Sequence, residues 1–145
     1  YDQQGNVLKT IGSRGVGNGQ FFAPWGVALD SNENMFVCDS RNNRVQKFDS
    51  GWRHLKTFGN TGAESNRMIG PLGIAIDLND NVFVCDSGNR RVQVYDSNGK
   101  LLRSFKPPEI QIGQDMPTGI AIDKNNNVLV SVLRFYKIHF LDNLG

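Results

Sequence analysis

From Gly73 to Asp96 the chain reads GIAIDLNDNVFVCDSGNRRVQVYD, two short apolar runs and a third alternating one, cut by Asp, Asn and Gly turns. The same pattern stands upstream from Gly26 to Asp49 and, altered, downstream from Gly119 to Asp142. The copies are offset by 47 residues, Asp30 to Asp77, and by 46, Asp77 to Asp123. A period of that size built from short strands predicts blades, a solenoid or an array. Each full unit predicts four strands. In the first copy these are a, Gly26 to Asp30, an apolar run suited to an inner strand covered on both faces; b, Met35 to Asp39; c, Arg44 to Asp49; and d, His54 to Phe58.

The polar positions between the runs follow local turn chemistry. DSNEN, DLNDN and DKNNN join strands a and b, where Asp and Asn tolerate left-handed backbone. Asp96-Ser97-Asn98-Gly99 predicts a hairpin between c and d. The centre of strand d carries a cation in each copy, Lys9, Lys56 and Arg103, a common guard against edge-to-edge pairing. Residues 12–24 form a Gly-rich connection without the Gly-Lys-Ser/Thr of a phosphate loop. No segment has helical period.

The expected fold is all-β, a β-propeller of four-stranded antiparallel blades. Residues 1–11 align with the end of a repeat, since Leu8, Leu55 and Leu102 match; they predict strand d of a shared blade. Residues 26–58 and 73–105 are full blades, and 119–142 supply strands a to c of the shared blade. Three blades fall below the roughly 4 to 8 typical of propellers. The chain starts without Met and in mid-repeat, which fits a piece of a longer protein; alternatively, two copies head to tail would close a six-bladed ring.

The units P-W-G-V-A-L-D…N-M-F-V-C-D-S-R-N-N-R-V-Q-K-F-D and P-L-G-I-A-I-D…N-V-F-V-C-D-S-G-N-R-R-V-Q-V-Y-D resemble NHL repeats, and the link G-S-R-G-V-G-N-G-Q-F-F-A-P resembles the connection before many of them. The third unit departs, with Val130-Ser131-Val132 for Val-Cys-Asp and Lys137 for Arg. The resemblance implies a six-bladed propeller of the kind found at the C-terminus of tripartite-motif ubiquitin ligases. There such propellers bind RNA or select protein substrates. The zinc modules of those ligases have no counterpart here, because the chain holds two Cys.

Composition narrows the chemistry. No apolar run nears the ~18 residues of a membrane helix, and no secretory signal opens the chain. Cys38 and Cys85 share a repeat position, predicting small buried free thiols, which suit a reducing, cytoplasmic setting. His54 and His139 are the sole histidines, and His139 matches Gln46 and Gln93, a plain strand position. With no Ser/His/Asp set and no metal-ligand cluster, the chain is expected to be non-catalytic, without metal or cofactor.

Charge divides by face. The connections and b-to-c turns gather nine cations against five acids, while the a-to-b and c-to-d turns gather nine acids against three cations. Such polarity steers an anionic partner to one side. Asp39 with Arg44, and Asp86 with Arg91, are expected to be structural pairs bracing the b-to-c turn. The ligand-binding candidates on the basic face are Arg14, Trp25, Arg41, Arg67, Arg90, Arg134, Phe135 and Tyr136. Arginine beside aromatic rings suits phosphates and stacked bases, and equally suits protein hot spots. RNA recognition is the first expectation, and substrate selection for a ubiquitin ligase is the alternative.

Overall fold

A computed structural model describes residues 2–107, 115–133 and 137–141. A two-residue parallel pair, β1 (Ser13–Arg14) and β2 (Gln20–Phe21), closes the Gly-rich connection. Blade 1 follows as β3 (Pro24–Leu29), β4 (Met35–Asp39), β5 (Arg44–Phe48) and β6 (His54–Phe58). Blade 2 is β7 (Pro71–Ile76), β8 (Val82–Asp86), β9 (Arg91–Tyr95) and β10 (Leu101–Phe105). Blade 3 is β11 (Met116–Ile122), β12 (Val128–Leu133) and β13 (Lys137–Leu141). Every blade is an antiparallel meander in sequence order. Among the described residues the helical segments are two single 3-10 turns, Ser40–Asn42 and Ser87–Asn89, each between strands b and c.

Residues 2–11, expected as an outer strand, form none here. A strand needs a ladder partner for its backbone groups, and no sheet of this chain provides one to this segment among the described residues. Asp2 and Asn6 instead close a local turn.

The apolar faces meet between blades. Phe36, Cys38, Val45 and Phe58 of blade 1 pack on Ile74, Val82, Val84 and Tyr95 of blade 2, with Met68 from the connection. Phe83, Cys85, Val92 and Val94 of blade 2 pack on Val128, Val130 and Val132 of blade 3. Full burial of each such side chain contributes roughly 1.5–3 kcal/mol, so two seams of this kind account for the stacking. The inner strands approach so closely that a Cβ on Gly26 would lie 2.5 Å from the Leu72 carbonyl oxygen, and one on Gly73 would lie 2.6 Å from that of Thr118. This is why the Pro-x-Gly frame needs glycine in those blades. Strand a of blade 1 is not covered on both faces, however. Val27 and Leu29 are 61% and 58% exposed, whereas Ile74, the counterpart of Val27, is 7% exposed beneath blade 1.

Candidate functional site

Six turns of one design build the acidic face. In the a-to-b turns, Oδ1 of Asp30, Asp77 and Asp123 accepts backbone N–H bonds from the residues two and four positions on, and Oδ2 accepts from the side chain of Asn34, Asn81 or Asn127. Asp49 and Asp96 do the same backbone work between strands c and d, and Asp2 does it in the N-terminal segment. The fourth residue of each turn is left-handed: Gly5, Glu33, Trp52, Asp80, Gly99 and Asn126. Hydrogen bonds from Asn127 hold the Asp123 carboxyl below its usual range, and those from Asn6 do so for Asp2. For Asp30, burial pushes upward, but the bonds from Asn34 and Asn32 outweigh it and the net shift is downward. The carboxylates of this face are therefore turn builders first.

On the opposite face, the structural pairs belong to a larger network. Arg44 Nε donates to Asp39 Oδ2 at 2.8 Å, and Arg91 Nε donates to Asp86 Oδ2 at 2.8 Å. Asp39 Oδ2 also accepts from Asn42 and Gln46, and Oδ1 accepts from the Phe22 amide. The Asp86 network repeats it with Asn89, Gln93 and the Ile69 amide. The rest of each guanidinium reaches the preceding connection: Arg44 donates to the carbonyls of Val16, Gly17 and Gln20, and Arg91 donates to those of Glu64 and Arg67. Each Asp–Arg pair thus pins a connecting loop onto its own blade.

Gln46 and Gln93 are not plain strand positions. Both are fully buried, and each donates to a loop carbonyl as well as to the Asp. Their identity in both full copies, and the joint change of Asp, Arg and Gln to Val132, Lys137 and His139 in the third, was the available signal.

With the loop pinned, its tip and the b-to-c turn form a surface. The Arg41 amide donates to the Phe22 carbonyl, and Asn42 donates to that of Gly15. The guanidinium carbons of Arg14 and Arg41 lie 5.1 and 5.2 Å from the centre of the Phe22 ring. Both arginines are exposed, and neither has an acidic partner among the described residues. A ring within about 6 Å of a cation attracts it, so Phe22 gathers two charges that would otherwise repel. Trp25, at the start of β3, is 69% exposed. An open groove of about 520 Å³ runs past Ile11, Gly12, Ser13, Arg14, Phe21, Phe22, Ala23 and Pro24. Phe22 escaped the sequence reading because its role depends on two residues 27 positions apart.

The other candidates are dispersed. Arg67 is ion-paired with Glu64 at 2.9 Å. Arg90 is exposed and left-handed at φ 57°, the counterpart of Asn43. In blade 2 the place of Arg41 is taken by Gly88, packed under Ile69, so the paired-arginine arrangement belongs to blade 1. Arg134, Phe135 and Tyr136 lie outside the described residues. Cys38 and Cys85 are buried and free, and burial pushes the Cys85 thiol up to about 12 and Cys38 further.

Comparison with known proteins adds three findings. A family model described as the SMP-30/gluconolactonase/LRE-like region matches residues 16–114. Protein lin-41 of Caenorhabditis elegans is 42% identical over 52 residues, covering 34% of this chain and 4% of that protein. Among solved structures, hydrazine synthase of Kuenenia stuttgartiensis superposes with a TM-score of 0.67 at 16% identity, over 97% of this chain and 36% of that one. A luciferin-regenerating enzyme gives 0.65 at 17% identity, over 88% and 47%. Virginiamycin B lyase of Staphylococcus aureus gives 0.62 at 15%, over 82% and 41%. The chain thus spans less than half of each of these solved chains and a small part of its curated relative. At such identities the structural likeness shows the fold alone, that of a β-propeller.

Proposed function

The chain belongs to the SMP-30/gluconolactonase/LRE-like family of β-propeller proteins, and from that premise we propose that it is a non-catalytic binding module of the NHL type that takes single-stranded RNA on its basic face. The observation that carries this reading is the convergence of Arg14 and Arg41 on Phe22, with the exposed Trp25 three residues further along the chain. Two guanidiniums without acidic partners suit two phosphates, and an exposed indole suits a base. The buried carboxylates Asp39 and Asp86 support a binding role over an acid–base one, because both oxygens of each are already engaged by donors. The buried free thiols favour a reducing compartment, the cytoplasm. Among the described residues no helix is long and apolar enough to cross a membrane.

The test is fluorescence anisotropy of a labelled single-stranded RNA, titrated with protein between roughly 50 and 200 mM salt. Binding is expected to weaken steeply with salt. Arg14→Gln with Arg41→Gln should flatten the log–log slope by about 1.4, at about 0.7 per phosphate contact on a single strand. Trp25→Ala should cost about 1–3 kcal/mol of affinity with little change in slope. Salt-insensitive binding to a protein partner that is lost with Trp25→Ala would support the alternative, substrate selection for a ubiquitin ligase, and sink the RNA reading.

A further inference from the structure

We infer that the Asn18–Gly19 step is a modification site, a point of spontaneous deamidation that Gln46 holds shut while the Gly-rich connection is docked on blade 1. The reaction needs only water. The Gly19 amide nitrogen attacks Cγ of Asn18, the bond from Cγ to the side-chain nitrogen breaks, and ammonia leaves. Water then opens the succinimide at either carbonyl, giving aspartate or isoaspartate. Glycine in second place favours the attack, because no side chain shields the nitrogen and the backbone turns freely.

The sequence holds two Asn-Gly steps, Asn18–Gly19 and Asn98–Gly99. Both asparagines are exposed, but their glycine amides are held differently. At Asn98 the local hairpin turn does it: the Gly99 N–H donates to the Asp96 carbonyl at 2.9 Å. At Asn18 the local turn does not. That turn runs from Gly17 to Gln20, closed by the Gln20 amide donating to the Gly17 carbonyl at 3.1 Å, and it leaves the central Gly19 amide without a partner inside the turn. The Gly19 N–H instead donates at 2.9 Å to Oε1 of Gln46, a fully buried side chain on β5. An amide held in this way is free neither to lose its proton nor to swing toward Cγ, so Gln46 guards the step.

Blade 2 is arranged otherwise. Gln93 stands where Gln46 stands, but its Oε1 accepts from the Tyr95 hydroxyl at 2.8 Å. Phe48 takes the place of Tyr95 and has no hydroxyl, which leaves Gln46 Oε1 for Gly19. At the loop tip of blade 2 the pair reads Ser65-Asn66, so that tip has no Asn-Gly step to guard. The guard also depends on docking. Gln46 Nε2 donates to the Gln20 carbonyl, and Arg44 donates to the carbonyls of Val16, Gly17 and Gln20, so the loop brings Gly19 to Gln46 only while those bonds hold. Deamidation therefore records release of the loop and makes it permanent. Isoaspartate adds one carbon to the main chain at the tip, and either product adds a carboxylate to the loop that bears Arg14. A loss of affinity for RNA would follow on the reading proposed above; the modification itself does not rest on that reading.

The experiment is peptide mapping by mass spectrometry of protein held at mildly alkaline pH, with and without urea. In urea both Asn-Gly steps should deamidate at comparable rates, while in native protein Asn18 should persist. Phe48→Tyr offers Gln46 the hydroxyl that blade 2 uses, and Gln46→Leu removes the acceptor. Each should speed native deamidation at Asn18 by roughly two- to tenfold, the effect of losing one hydrogen bond, and leave Asn98 unchanged. Asn98 thus reports within the same sample that the variant is folded. Native Asn18 reacting as fast as in urea overturns the inference, and so does a native rate at Asn18 that neither variant raises. The readout is mass at one residue, so it stands whether or not RNA binds.

Discussion

Asp86 is the sharpest place to test how the loops are held. It is fully buried, and its two oxygens accept four bonds of 2.8 Å, from the Ile69 amide, Asn89, Arg91 and Gln93. Asp86→Ala leaves all four donors without that acceptor. Arg91 keeps its bonds to the Glu64 and Arg67 carbonyls, but its buried charge loses its counterion. Removing one partner of a buried pair costs about 3–5 kcal/mol, and that is the loss expected here. A typical domain has about 5–15 kcal/mol in all. Asp86→Asn keeps an oxygen for Ile69 but turns an amide N–H₂ toward three donors, so most of the loss, about 2–4 kcal/mol, should remain. The third repeat supplies a control. Its residues, introduced together as Asp86→Val, Arg91→Lys and Gln93→His, remove the network as a unit, and the combined cost should fall short of the summed single costs by more than about 1 kcal/mol. Urea unfolding followed by circular dichroism gives the midpoints and slopes. If Asp86→Ala costs under about 1 kcal/mol, or Asp86→Asn matches the parent, the loop-pinning account is wrong.

Further outcomes are expected from the same structure. Trp52 sits left-handed at φ 68° where sister turns have Gly5 and Gly99, so Trp52→Gly should raise the unfolding midpoint slightly: about 1–2 kcal/mol of backbone strain is relieved against a weak contact with Lys9. Gly73→Ala should destabilise by about 1–3 kcal/mol in the same urea assay, because its Cβ meets the Thr118 carbonyl oxygen. The folded-state carboxyls of Asp30 and Asp123 are lowered, so their contribution is present above the unfolded value of about 3.9 and is lost as pH falls through the folded values. The melting temperature should therefore drop below about pH 4, and Asp30→Asn, which keeps the acceptor for both backbone bonds, should flatten that drop. Cys38 and Cys85 should resist a thiol reagent in native protein and react at once in urea; rapid native labelling would contradict their burial.

The repeat determined a great deal on its own. Strand order, turn positions and the two buried thiols follow from short-range periodicity and turn chemistry, which act within a few residues and so can be read along the chain. The six Asp turns show this most plainly, since acceptor, donors and left-handed residue all fall within five positions. Tertiary structure decided which charges are spent and which are available. Arg44 and Arg91 were legible as partners of Asp39 and Asp86, but not their bonds to loop carbonyls; Arg67 looked alike with Arg14 and Arg41, and only the structure pairs it with Glu64. Phe22, Gln46 and Gln93 gained their roles from partners seven to 27 residues away. The apolar pattern likewise marked strand a of blade 1 as covered on both faces, and only the stacking of blades shows that Val27 and Leu29 are exposed among the described residues. Burial depends on neighbours that the periodicity of one strand does not encode.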